Sequence, residues 1–88
     1  MKAEEMFKEL GYEKTYDGDY SIVYTKEYDD DTRFEIEFFK MITDKQFKCS
    51  IFHYDEDNDW GEEIIKPLQI DMNEFKAIEK QIEELGWS

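Results

Sequence analysis

The run HYDEDNDWGEE, His53 to Glu63, places six carboxylates in eleven residues around one tryptophan, Trp60. Carboxylates at this density can hold a hard cation through oxygen ligands, imitate the phosphates of nucleic acid before a basic protein, or merely solvate a turn. The cation reading is tested first as an EF-hand, because Asp55, Asp57 and Asp59 stand at relative positions 1, 3 and 5 of such a loop. The register then fails. Position 6 is Trp60 where a glycine is needed, and position 12 is Lys66 where a bidentate glutamate is needed. Starting at Glu56 aligns Gly61 but brings Pro67 to the last position. No metal ligand set is assigned, and only loose, weak binding of divalent cations stays open.

Other chemistry is thinner still. The chain has one histidine, His53, and one cysteine, Cys49, with no Ser/His/Asp arrangement and no glycine-rich phosphate loop. Carboxylates on solvated turns keep near-ordinary pKa values and make poor general acids at neutral pH. The expectation is a protein without catalytic residues and without a cofactor. His53 alternates with Phe47, Cys49 and Ile51 and is read as a packing residue near the mouth of the acidic end. Cys49 is read as a small core side chain.

The elements that must position the acidic run follow from composition and period. Eighty-eight residues suffice for a single domain, 1–88, whose core buries roughly 60–65% of the unfolded surface. Seven Phe, six Tyr and two Trp are too many large side chains for a disordered tail, although 40% of residues are charged. Twenty-four acids against eleven bases give a formal net charge of −13, which repels polyanions, so nucleic acid is not expected as a direct ligand. A single cysteine excludes an internal disulfide and fits a reducing, cytoplasmic setting. Charges throughout MKAEEMFKEL leave no signal-peptide apolar stretch, and no run is long enough to span a bilayer, so no membrane is expected as a partner.

In Lys2 to Leu10, Ala3, Met6, Phe7 and Leu10 share one helical face. Gly11 supplies a left-handed cap, and Tyr12 stands where it can close back on Phe7. At the other end Asp71 with Glu74 forms an aspartate capping box, Ile70 and Phe75 are spaced as a staple, and Phe75, Ile78, Ile82 and Leu85 make the stripe. Gly86 stops that helix, with Trp87 folding back on Ile82. Between the helices the period changes to 2. Tyr20, Ile22, Tyr24 and Tyr28 share a face, as do Phe34, Ile36 and Phe38, and then Phe47, Cys49 and Ile51. Asp29-Asp30-Asp31-Thr32 and Thr43-Asp44-Lys45 are turn-length breaks. A fourth strand runs from Glu62 to Lys66 and stops at Pro67, and Glu13 to Tyr16 offers a short additional first strand. The predicted fold class is α+β: an antiparallel β-meander of about four strands between an N-terminal and a C-terminal helix, both helices on one sheet face.

In such a meander alternate connections fall at the same end. The Asp29–Asp31 turn and the Asp55–Glu63 loop are therefore expected as neighbours about 10 Å apart. That gathers Asp29, Asp30, Asp31, Asp55, Glu56, Asp57, Asp59, Glu62 and Glu63, with Arg33 and Lys66 nearest in sequence to answer them. Trp60 either folds back as a lid or anchors an interface. Phe39, Met41, Phe52 and Tyr54, on the face opposite the main stripe, are candidates for a second apolar patch.

The pattern KAEEMFKELGYEKT, the strand SIVYTK, FEIEFFK and the ending FKAIEKQIEELGW resembles small acidic proteins of phages and prophages of Gram-positive bacteria. The likeness spans nearly the whole chain and rests on helix caps and core stripes, so it brings no catalytic residues. It implies an accessory phage protein acting in the cytoplasm of a bacterial host cell, a class in which inhibitors that imitate DNA occur. The leading expectation is a non-enzymatic binding protein whose acidic end, Trp60 included, docks onto a basic, nucleic-acid-binding type of host protein surface. The alternative is a structural or assembly module, a homodimer joined through aromatic faces, in which the acidic end only solubilises.

Overall fold

Two glycines end the two helices in the same way. Helix α1 (Ala3–Glu9) stops at Gly11, whose φ of 94° lets the Gly11 amide reach the Lys8 carbonyl and the Tyr12 amide reach that of Phe7, at 3.0 and 2.9 Å. Helix α2 (Met72–Glu84) stops at Gly86, φ 75°, with the Trp87 amide on the Ile82 carbonyl. These are paired Schellman bonds, and they satisfy carbonyls that the helix leaves open. The cap also closes the Tyr12 ring against Phe7, edge-on at 5.6 Å.

The computed structural model describes residues 1–40, 45–55, 59–64 and 70–87, the stretches 54–55 and 59–64 by their strand pairing. Five strands form one antiparallel sheet in sequence order: β1 (Glu13–Asp17), β2 (Ser21–Asp29), β3 (Thr32–Phe39), β4 (Phe47–Asp55) and β5 (Asp59–Ile64). The short first strand is thus present. The last strand begins at Asp59 rather than Glu62, so Trp60 and Gly61 lie in the ladder, opposite Tyr54 and His53. Lys66, Pro67, Met41 and the expected turn at 43–44 lie outside the described residues.

Both helices cover one face. Ala3 and Phe7 of α1 and Ala77 and Ile78 of α2 form a buried cluster with Ile22, Tyr24, Ile36, Phe38 and Cys49 of the sheet. Phe7 stacks on Tyr24 at 4.1 Å and meets Phe38 edge-on at 6.2 Å. The helices run antiparallel: the Ala3 amide donates to Glu84 at the far end of α2, and the Tyr12 hydroxyl donates to Glu74 in its first turn.

The apolar stripe of α2 is rotated from its expected place. Phe75 is 43% exposed, while Gln81 is buried because its Oε1 accepts the Tyr24 hydroxyl at 2.6 Å. A buried phenol needs an acceptor, and that need outranks one more apolar contact. On β2, Tyr20 falls in the turn before the strand, and Lys26 takes the third inward place, its ammonium 5.7 Å from the centre of the Tyr12 ring.

Strand and helix lengths do not match. At ~3.4 Å per residue β2 and β4 run about 30 Å, whereas α2 at 1.5 Å per residue runs about 20 Å. The lower ends are flush, with Trp87 against Phe38 at 6.4 Å. The surplus strand therefore projects past the helix layer at the other end. The Cα radius of gyration of 13.2 Å and the 42 Å long axis agree, since a compact chain of this length gives about 12 Å.

Two stability measurements follow. Phe7→Ala removes the ring between helix and sheet and is expected to cost about 3–5 kcal/mol in urea unfolding. The Asp71 side chain accepts the Glu74 amide at 2.8 Å, and this bond holds its carboxyl below the ordinary value. The folded protein thus takes up that proton less readily than the unfolded chain. The cap's contribution is fully present above the unfolded carboxyl value and is lost as pH falls through the lower folded value. Asp71→Asn, which caps at any pH, should therefore gain on the wild type as unfolding is followed from about pH 5 down to pH 2, and Asp71→Ala should lose ~1 kcal/mol at neutral pH.

Candidate acidic interface

Register fixes where the carboxylates stand. Asp29 pairs with Thr32, Thr32 with His53 and His53 with Gly61, one row across four strands. The β2–β3 corner closes just above that row through Asp30 and Asp31. The β4–β5 hairpin continues past it through Tyr54↔Trp60 to Asp55↔Asp59. Both corners therefore emerge at one end of the sheet, two strand spacings or about 10 Å apart.

The first corner is built by its own side chain. Asp29 Oδ1 accepts the Asp31 amide at 2.8 Å, an Asx turn. Asp30 and Asp31 keep negative φ. The register slips between Glu27↔Arg33 and Asp29↔Thr32, leaving Tyr28 as a bulge that supplies the twist a left-handed turn pair would give. Among the described residues, Asp29, Asp30 and Asp31 are exposed and have no cationic partner.

At the opposite end Asp17 is paired. Lys40 spans Asp17 Oδ1 and the Gly18 carbonyl at 2.9 and 2.8 Å, and Lys14 bridges Asp17 and Glu4 at 3.4 and 3.0 Å. Lys40, with Lys14 behind it, pulls the Asp17 carboxyl below its ordinary range. Among the described residues, the Asp29–Asp31 corner has no such counter-charge.

Not every expected member joins the cluster. Asp55 and Asp59 sit at the second corner, while Glu56 and Asp57 lie outside the described residues. Glu62 and Glu63 do not gather there. Because β5 starts early, they pair with Phe52 and Ile51, about 10 Å or more down the edge strand. Trp60 is placed in the ladder rather than in a loop, opposite Tyr54. His53 is exposed at the mouth of the acidic end, as its spacing implied, but it does not pack in the core, because the strands here have outrun the helices. Arg33 lies nearby with its guanidinium 5.3 Å from the centre of the Phe52 ring.

Of the expected second apolar patch, Phe39 and Phe52 are described and stand apart, while Met41 and the Tyr54 side chain lie outside the described residues. On the helix-free face Phe39 pairs with Ser21 at one end and Phe52 with Arg33 at the other, about 20 Å apart along β3, with Glu35, Glu37, Lys48 and Ser50 between them.

One feature escaped the sequence reading. Tyr28, assigned by alternation to the buried face, is 70% exposed, its ring meeting Phe34 edge-on at 5.8 Å. Phe34, Ile51 and His53 follow on the helix side of the sheet, so the overhang carries a ledge of aromatic and apolar groups below the acidic corners. The signal for it lies in the lengths, since nine extended residues outrun thirteen helical ones.

The remaining reactive groups are quiet. Burial, with Glu74 nearby, pushes the Cys49 thiol up to about 11, and burial raises the Tyr24 phenol to about 12. Among the described residues no three of His, Cys, Asp and Glu come together as metal ligands, and no described helix is long and apolar enough to cross a membrane. A cavity of about 100 Å³ lies where the helix layer ends, lined by Tyr12, Lys26, Phe34, Ile36, Cys49 and Glu74. No protein-family model, curated protein or solved structure matches the chain.

A buried thiol with a raised pKa has little thiolate. Iodoacetamide at pH 7.5 should leave Cys49 unlabelled in the folded protein and label it promptly in urea, as read by intact mass.

Proposed function

We propose that this chain is a non-enzymatic binding protein that docks its acidic end onto a basic protein surface of the kind that otherwise holds nucleic acid. The observation that carries the reading is the strand order, by which consecutive antiparallel pairing brings the Asp29–Asp31 corner and the Asp55/Asp59 corner to one end. Mechanism is occlusion. Carboxylates occupy Lys and Arg sites that would hold phosphates, and the long-range field of a chain of net charge −13 speeds the encounter. The sequence resemblance supplies the setting, an accessory phage protein in the cytoplasm of a bacterial host.

The homodimeric assembly module has less support. Among the described residues of its expected apolar patch, Phe39 and Phe52 stand at opposite ends of their face.

An immobilised copy exposed to host lysate should retain a basic partner at about 0.05 M salt and release it by about 0.5 M, where charge interactions are screened within a few ångströms. Replacing Asp29, Asp30 and Asp31 together by Asn should weaken capture at low salt. The same yield at both ionic strengths, or full capture by the triple variant, would end the proposal.

A further inference from the structure

Carboxylates attract cations without choosing between an ammonium and a guanidinium. The choice comes from what lies beside them. On the overhang Tyr28 is 70% exposed, held against Phe34 and adjacent in the chain to the Asp29–Asp31 corner. Exposed His53 lies on the same side of the sheet, in the row that joins the corners. The ledge thus has an aromatic floor and an anionic rim. On the other face the chain itself seats a guanidinium on such a ring, Arg33 at 5.3 Å from the centre of Phe52.

We infer that the ledge selects arginine: a basic protein segment docks with one guanidinium stacked on Tyr28 while its planar fork meets the carboxylates of the Asp29–Asp31 corner. It rests on the docking role proposed above and narrows the partner to an arginine-bearing segment. A guanidinium is weakly hydrated, planar and able to stack and pair at once, whereas an ammonium is a strongly hydrated point charge with less to gain from a ring. The bulge at Tyr28 brings Asp29, which pairs with Thr32, to the same side of the sheet as Tyr28 and Phe34, where regular alternation would have turned it to the other face.

The full-length protein can be titrated calorimetrically with octa-arginine and with octa-lysine peptides at low salt. Tyr28→Ala is expected to lose about two- to fivefold in affinity for octa-arginine, the size of one exposed cation–π contact, and nothing for octa-lysine. Tyr28→Phe keeps the ring and should keep the affinity. Tyr20→Ala, which removes an equally exposed ring at the opposite end, where Asp17 is paired with lysines, should change neither. Tyr28 is exposed, so circular dichroism of the variants should match the wild type. An octa-arginine affinity unchanged in Tyr28→Ala, or an equal loss for both peptides, overturns the arginine preference and leaves acidic docking standing. Binding of neither peptide removes both.

Discussion

The stack of Phe7 on Tyr24 joins the helix layer to the sheet, and the rest of the architecture is arranged around it. Tyr24 is held from three directions: Phe7 on its face, Phe38 at its edge, and Gln81 at its hydroxyl. Each contact brings a different element to β2. Fully burying side chains of this size is worth about 1.5–3 kcal/mol apiece, so these few rings supply a large share of what a thin core has to offer. They also fix position. Once α1 is seated on Tyr24 and α2 is bonded to its hydroxyl, the helices cannot slide along the sheet to cover the longer strands, and one end is left standing clear.

Most of this was legible in residue spacing. The i, i+3, i+4 stripe, the Gly-aromatic endings and the period-2 runs each rest on a local rule, and α1, both caps and the inward Ile22, Phe34, Ile36 and Phe38 fall where those rules put them. The departures share another cause. Phe75 and Gln81 exchanged places because a phenol two elements away needed an acceptor. Tyr28 keeps the face that alternation gave it, beside Phe34, but stands exposed because β2 runs on past the helix layer. β5 began early because the hairpin closed on Asp55 and Asp59. Such outcomes depend on pairings between distant residues, which spacing along one strand does not encode. The end on which the acidic corners meet was readable from topology alone; that Glu62 and Glu63 run down the edge instead was not.

The two ends of the molecule then acquire different characters from the same composition. At the lower end Asp17 is shared by Lys14 and Lys40, and Lys40 also ties the β1–β2 turn to the end of β3 through the Tyr20 carbonyl. Bases are spent there on closing turns. The β2–β3 corner is closed by an aspartate acting on its own backbone, Asp29 to Asp31, with no cationic partner for these aspartates among the described residues.

Holding that charge costs little while the end is in water and more once it is covered. Two unit charges 4 Å apart repel by about 1 kcal/mol in bulk water, and at the ~10 Å between the corners salt screens most of what remains. At the effective dielectric near a protein surface the same 4 Å pair repels by about 4 kcal/mol. A partner that covered this end with neutral or apolar groups would therefore strengthen the repulsion among the aspartates and be rejected by it. One that brings its own cations cancels the repulsion as it excludes the water. In the proposed docking role the acidic corners would exclude unsuited surfaces as well as attract basic ones, and this exclusion would need no contact more specific than the strand order that puts the corners together.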